Sequence, residues 1–408
     1  MRLFPNGMVP LTAILGMMGD EGVDDPVFHF WRKTLPNQRI TGTAGAFIYT
    51  AAALNVEYNT TYPLGGAYAV AGATVYVKMT AAQIASLKVG HTIVFRNTSN
   101  YTLDCVGVIT ARTEDGASSY VTVKLIEADD NGLPAATISL TTCDLVYIIG
   151  TAHAEGTGSP DAIAQDVVED YNYCQIFKDA LEMTNTARVT RLRTGDPYQE
   201  AKRDCLEFFS IQREKAYLFG IRYADTDATT GKPRRFTQGI VRKITTNKDD
   251  FSLNANYAGQ TWLQGGEEWL DTQLEQIFRY GANEKLALVG SGALLGIQRL
   301  AKNSGIIQLT PESKSYGMKV LTWITPFGVL YMKTHPLFSF EATNRNSLLI
   351  LEPKNLKRKT LRATKFETDV QLPGYDEKKD QFICEDGLRM DFEETFGYLN
   401  GLNLDSAV

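Results

Sequence analysis

The residues best spaced for chemistry are Gly290-Ser291-Gly292 and Gly296. They follow the apolar run Leu286-Ala287-Leu288-Val289 and open a helix-like stretch from Ala293 to Lys302. Strand, glycine turn and helix in that order can hold a phosphate on the free N–H groups of a helix N-terminus. The spacing is G-x-G-x-x-x-G, a variant of the usual fingerprint, and no second βαβ half lies nearby. The competing and preferred reading is a tight βα turn with Ser291 as N-cap. The other candidates are thinner. Gly231-Lys232 is followed by Pro233, which breaks a phosphate loop. His29, His91, His153 and His335 have no Cys, His or paired carboxylate at ligand spacing. His335 precedes Pro336 and reads as a turn residue. Cys105, Cys143, Cys174, Cys205 and Cys384 form no C-x-x-C and are odd in number, so they read as free, inert, small apolar side chains. These patterns predict no catalytic residue, no metal ligand and no cofactor site.

A basic cluster stands out: Lys354, Lys357, Arg358, Lys359, Arg362 and Lys365. A DNA-facing patch is one reading. A solvated strand edge is the other, with the acidic stretch Asp376, Glu377, Asp380, Glu385 and Asp386 as partners in the same chain or a neighbour. The whole chain has 41 basic and 47 acidic residues among 408, a formal charge of −6. That balance disfavours a protein that lives by gripping nucleic acid phosphates. At 44% hydrophobic and 22% charged it has globular composition. No apolar run approaches the ~20 residues that cross a bilayer, and the N-terminal stretch, with Pro5 and Pro10, is a weak signal peptide.

The elements that would position these residues come in a distinctive order. Residues 1–40 are irregular, with Pro5, Pro10, Pro26 and Pro36, a short helix near Leu11–Met18 and aromatic anchors Phe28, Phe30 and Trp31. Residues 41–72 read as extended. Between 73 and 150, β-branched runs recur at Thr74–Met79, Thr92–Arg96, Leu103–Thr113, Tyr120–Glu127, Thr137–Leu140 and Leu145–Ile149, which predicts a small inserted β-barrel or sandwich. Residues 151–170 form a polar, acidic connector, and the extended pattern resumes over 171–195. The clearest helix follows. Asp196 with Gln199 suggests a capping box, Pro197 sits at N1, and Gly220 stops it. Its apolar stripe reads Tyr198, Ala201, Cys205, Phe208, Ile211 or Gln212, Ala216 and Phe219, with Arg213, Glu214 and Lys215 among the charges on the other face. A second helix is expected over Glu267–Tyr280. Strands are expected at Met318–Ile324, Val329–Lys333, Ser347–Leu351, Leu361–Phe366 and Leu388–Glu394.

This order resembles the major capsid protein of tailed bacteriophages, the Hong Kong phage-type fold. Tyr171-Asn172-Tyr173-Cys174-Gln175-Ile176-Phe177 resembles the N-Y-T-Q-I-F signature of one capsid family. Tyr198-Gln199, Arg213-Glu214-Lys215-Ala216 and Leu218-Phe219-Gly220 resemble its spine helix. Arg235-Phe236-Thr237-Gln238-Gly239-Ile240 resembles its R-T-x-G-G-I loop, with Gln238 in place of the first glycine. The resemblance implies an α+β chain with an N-arm (1–37), an E-loop (38–72 and 151–192) carrying the inserted β domain (73–150), and a P domain (193–239) with its spine helix (196–220). An A domain (240–345) would follow, and C-terminal strands (346–408) would complete both domains. It also implies self-assembly into hexamers and pentamers of an icosahedral virion shell, made in the host bacterial cytoplasm. The shell would enclose double-stranded DNA in non-specific contact with its inner face, with scaffolding, portal and decoration proteins as further partners and no membrane. No charged helical segment opens the chain, so scaffolding would come from a separate protein, and the β module would face outward. A different phage component, of the decoration or tail-tube kind, is the runner-up. A nucleotide-binding enzyme using Gly290–Gly296 is the third reading. An N-arm should be dispensable for folding, so deleting 1–37 should leave the body folded and block only shell formation.

Overall fold

A computed structural model describes residues 9–33, 39–42, 47–54, 71–98, 104–127, 140, 143–160, 162, 167–190, 196–304, 309–315 and 318–406. The chain divides into two compact units, Lys33–Val168 and the discontinuous pair Met1–Arg32 with Glu169–Val408.

The discontinuous unit begins with helix α1 (Pro10–Met18) and strands β1 (Asp20–Gly22) and β2 (Val27–Arg32). Leu11, Ile14 and Leu15 of α1 are fully buried, and Leu11 and Leu15 pack with Tyr217, Leu218, Leu356 and Leu388. This part of the expected arm is therefore core. This burial argues against the expectation that the body folds without residues 1–37, because losing Leu11 and Leu15 would uncover that cluster. Phe28 and Phe30 are buried anchors as expected, but Trp31 points outward.

The unit Lys33–Val168 carries β3 (Arg39–Thr41), β4 (Ile48–Tyr49), β5 (Thr74–Lys78), helix α2 (Ala81–Ile84), β6 (His91–Arg96), β7 (Asp104–Thr113), β8 (Tyr120–Leu125) and β9 (Leu145–Thr151). The strands form one sheet in the order β3-β9-β6-β7-β8-β5-β4, antiparallel throughout. Its inward residues alternate along each strand: Val75 and Val77, Val121 and Val123, Ile93 and Phe95, all in one cluster. Gly107 is needed there, because a Cβ would stand 2.5 Å from the Val123 side chain. The run expected at 137–140 lies outside the described residues except for Leu140.

Strands β10 (Val168–Tyr173) and β11 (Gln175–Thr184) and helix α3 (Asn185–Val189) lead to the long helix α4 (Pro197–Phe219). Its 23 residues at ~1.5 Å rise make a rod of ~35 Å. Asp196 caps it through the Tyr198 N–H at 3.0 Å, without the expected reciprocal Gln199 bond. Its buried face is Cys205, Phe209, Arg213, Glu214, Tyr217 and Leu218. Phe208 is exposed and Arg213 and Glu214 are inside, which corrects the predicted stripe. Cys205, Phe209, Arg213 and Tyr217 keep a four-residue step, and the two charges are admitted because buried partners meet them.

Beyond it come β12 (Tyr223–Thr226), β13 (Pro233–Phe236), α5 (Ile240–Lys243), β14 (Lys248–Asp250), α6 (Trp262–Phe278), β15 (Glu284–Val289) and α7 (Ser291–Ser304). They are followed by β16 (Leu309–Ser315), β17 (Met318–Thr325), β18 (Gly328–Thr334), α8 (Pro336–Phe340), β19 (Leu348–Leu351), β20 (Leu356–Glu367), β21 (Glu377–Met390) and β22 (Gly397–Asn400). One mixed sheet runs β14-β22-β19-β15-β18-β17-β16, and β15 and β18 are parallel. Helix α6 starts five residues before its predicted Glu267. Thr261 and Gln264 form a capping box, and Gly265-Gly266 stay helical because Tyr257, Gln260 and the Trp262 ring fill the space a Cβ would need. Trp262 and Trp269 meet Phe251 edge-on at 5.1 and 5.5 Å.

A second sheet has the order β1-β20-β21-β11. Strand β21 begins at Glu377, eleven residues before the expected Leu388, and ends at Met390. The predicted alternation through Glu394 breaks because Phe392 takes φ +52° and Glu393 turns inward. There its carboxylate accepts the Thr245 N–H at 2.7 Å and the Thr246 hydroxyl at 2.6 Å.

Leu11→Ala and Leu15→Ala should each cost about 2–5 kcal/mol, read from urea unfolding, and deletion of residues 1–18 should lower the melting temperature rather than spare it.

Candidate functional site

The glycine turn between β15 and α7 is occupied by its own chain. The Gly292 and Ala293 N–H groups donate to the Arg345 carbonyl at 3.0 and 3.1 Å, and the Ser291 N–H to Ser339 Oγ at 3.2 Å. A Cβ on Gly290 would lie 2.2 Å from the Arg345 carbonyl oxygen. The donors that a phosphate would use are thus bound, and the glycines serve the close approach of residues 344–346. Ser291 is the first helical residue rather than a cap.

Beneath α4 lies a set of buried charges that periodicity alone placed outside. The Glu214 carboxylate is fully buried. It accepts the Leu11 N–H at 2.8 Å, the Thr12 N–H at 2.7 Å and the Thr12 hydroxyl, so α4 caps the first turn of α1. His335 completes the cluster. Its Nδ1 accepts the Leu337 N–H at 3.2 Å, which leaves the proton on Nε2, 3.0 Å from Glu214. One residue earlier, Arg213 reaches Asp386 at 3.6 Å and the Thr364 hydroxyl at 3.2 Å, and burial pushes the Asp386 carboxyl up. Lys285, fully buried at the foot of β15, donates to the Thr395 carbonyl at 2.7 Å, the Tyr280 carbonyl at 3.0 Å and Glu352 at 3.3 Å. Burial pulls its ammonium below the usual lysine range. These groups hold elements together, because each donor points at another part of the same chain.

The basic cluster resolves in the same way. Strand β1 pairs in parallel with Arg358–Thr360. Asp20 binds the Arg358 guanidinium, and Glu21 lies between Lys357 and Lys359, which hold its carboxyl down at about 2. Arg362 meets Glu385 at 2.8 Å across the β20–β21 pair. Lys365 lies 3.8 Å from Glu367, so five of the six cations face carboxylates of the same chain. Of the predicted partner stretch, Glu385 is among these contacts and Asp386 instead meets Arg213, while Asp20 and Glu21 carried no signal that sequence spacing could reveal.

The five cysteines are all buried and free, and burial pushes Cys143, Cys174 and Cys384 to about 12. His91 starts β6 as expected and is buried. Among the described residues, no three His, Cys, Asp or Glu side chains are grouped to hold a metal ion, and no helix is long and apolar enough to cross a membrane.

The signature segments meet in space. The Asn172 amide donates to the Leu388 carbonyl at 2.7 Å, and its oxygen accepts the Gln238 N–H at 2.9 Å. Gln175 accepts the Thr237 N–H at 3.1 Å. Residues 171–177 and 235–240, matched separately in the sequence, are thus stitched to each other and to β21. Gly239 lets the second loop lie on the end of α4, where a Cβ would stand 2.6 Å from the Gly220 nitrogen.

The profile of the family described as SU10 major capsid protein matches residues 3–403. The major capsid protein of Pseudomonas phage PaMx41 is 29% identical over 200 residues, 48% of this chain and 46% of that one. The chain thus spans about half the length of that curated relative. Among solved structures, the SrpI encapsulin of Synechococcus elongatus PCC 7942 is similar over 59% of this chain and 78% of that one, at 12% identity and a TM-score of 0.41. The procapsid of satellite phage P4 is similar over 67% and 88%, at 11% identity and a TM-score of 0.39.

Glu214→Leu strands three donors of α1 and the His335 N–H, and should cost about 3–5 kcal/mol in urea unfolding. Glu21 is held below its unfolded value near 4.5, so its contribution is complete above that pH and lost as pH falls towards 2. Glu21→Gln should flatten that part of the stability–pH curve and leave the neutral branch parallel to wild type.

Proposed function

The chain belongs to the SU10 major capsid protein family, and we propose that it assembles into pentamers and hexamers that close an icosahedral shell around the packaged double-stranded DNA of a tailed phage. The observation that carries the reading is the family match from residue 3 to residue 403, which leaves almost no part of the chain for another purpose. As a phage capsid protein the chain is a virion component, and its family is structural. Assembly takes place in the host bacterial cytoplasm.

The units divide the labour. Residues 1–37 form the N-arm, bound to the body through α1 and β1. Residues 38–72 and 151–192 form the E-loop, and 73–150 an inserted module on the outer face. Residues 193–239, with the spine helix at 196–220, form the P domain, residues 240–345 the A domain, and 346–408 complete both. The separate compactness of Lys33–Val168 supports a module with its own core, to which Ile40, Phe47 and Ile48 of the preceding segment also contribute. Burial of Leu11, Ile14 and Leu15 supports an arm whose first part is fixed on its own subunit, so that any reach to a neighbour falls to other segments. Contacts with DNA are non-specific. A chain of charge −6 whose basic strand is largely paired internally lines a container without holding the genome fast. Scaffolding, portal and decoration proteins are the further partners, and catalysis has no part in the role.

Expression of the full chain, alone and together with its phage partners, should yield capsomers or closed shells by electron microscopy. A strictly monomeric species under every assembly condition would refute the reading.

A further inference from the structure

We propose that the aromatic face of the β2–β10 ribbon receives the tip of the β20–β21 hairpin from a second copy of this chain. The inference rests on the assembly reading and names one of its contacts.

One side of β2 buries Phe28 and Phe30, while the other presents Trp31, 61% exposed, and His29. The His29 ring lies 5.8 Å from Tyr171 of β10, and the Arg222 guanidinium covers Tyr171 at 4.2 Å. Next to Arg222, Ile221 and Tyr223 are 59% and 53% exposed. Rigid aromatic rings with a stacked arginine are what protein interfaces use as anchors. The carboxylates inside the patch have partners: Glu169 lies 2.6 Å from the His29 ring nitrogen and Asp170 lies 3.2 Å from Arg222. A nucleic acid would find no field there. The rim is different. Lys232 and Arg235, on the adjoining β12–β13 hairpin, have no acidic partner among the described residues.

The loop between β20 and β21 has the complementary character. Leu372 and Tyr375 are 68% and 62% exposed, and Val370 is also turned outward. At its base Glu182 and Glu377 lie side by side with one lysine, Lys379, reaching Glu182 at 2.8 Å. Glu377 is pushed up by its contact with Glu182. Two carboxylates and one lysine leave room for a cation from outside.

The two surfaces lie on one unit but cannot meet within it. Strand β10 ends at Tyr173, where β11 begins, and the hairpin base pairs with the far end of β11 (Thr184 opposite Glu377). Ten residues of strand at ~3.3 Å each separate them by ~30 Å. Contact therefore requires another copy. Because the two patches differ, it is head-to-tail, the type that closes rings or propagates arrays.

The test uses the full chain under conditions where wild type assembles. Trp31→Ala and Leu372→Asp alter exposed side chains, so each should keep the wild-type melting temperature of the unassembled subunit and lower shell yield at least tenfold by sedimentation and electron microscopy. Arg235→Glu should lower the yield similarly, and adding Glu377→Arg should restore it. Wild-type yields from both Trp31→Ala and Leu372→Asp, or no restoration by the charge swap, would overturn the contact while the assembly reading stands. A wild-type chain that never assembles would overturn both.

Discussion

A carboxylate taken fully out of water has to be surrounded by donors, and Glu214 shows how much of a fold that demand can organise. It lies on α4, yet its partners come from α1, two hundred residues earlier, and from His335, a hundred and twenty residues later. Each partner brings its element with it. Helix α1 delivers Leu11 and Leu15 to the cluster shared with Tyr217 and Leu388, and α8 delivers Phe338. Arg213, one residue before, does the same for β21 through Asp386. The long helix is thus held by specific polar pairings as well as by apolar burial. Such pairings fix register, because a slip of one residue would leave a buried charge alone.

What could be read beforehand follows from which interactions are local. Strands of the inserted module showed themselves because alternation in Val75/Val77 or Val121/Val123 reports burial directly. Helix α4 showed its ends because Asp196, Pro197 and Gly220 act on the backbone beside them. Its inner face was misjudged at Arg213 and Glu214, since nothing near them in sequence reveals the distant donors that make them acceptable. Helix α6 begins earlier than the expected Glu267, because its start is set by the capping box of Thr261 and Gln264 and its Gly265-Gly266 pair makes room for Gln260 and the Trp262 ring.

The same distinction separates motif from site. Gly290-Ser291-Gly292 has the local form of a phosphate cradle, and its conformation is indeed a strand–turn–helix. Its donors are spent on the carbonyl of Arg345 and the hydroxyl of Ser339, fifty residues away. Likewise the basic run 354–365 looked available until β1 laid Asp20 and Glu21 along it. By contrast, the segments 171–177 and 235–240 were recognisable one by one, and the hydrogen bonds of Asn172 and Gln175 explain why they occur together.

The discontinuity of the larger unit has a consequence for how the chain is made. On a ribosome, α1 emerges first, but Leu356 and Leu388, against which it packs, follow more than three hundred residues later. Residues 33–168 contain their whole sheet and core and can fold while the rest is still being synthesised. The flanking halves must wait for β20 and β21, then close a very long loop whose entropy grows only slowly with length. A half-made chain is therefore one finished body between unfinished flanks, and the larger unit completes its interior only after Leu388 has been made.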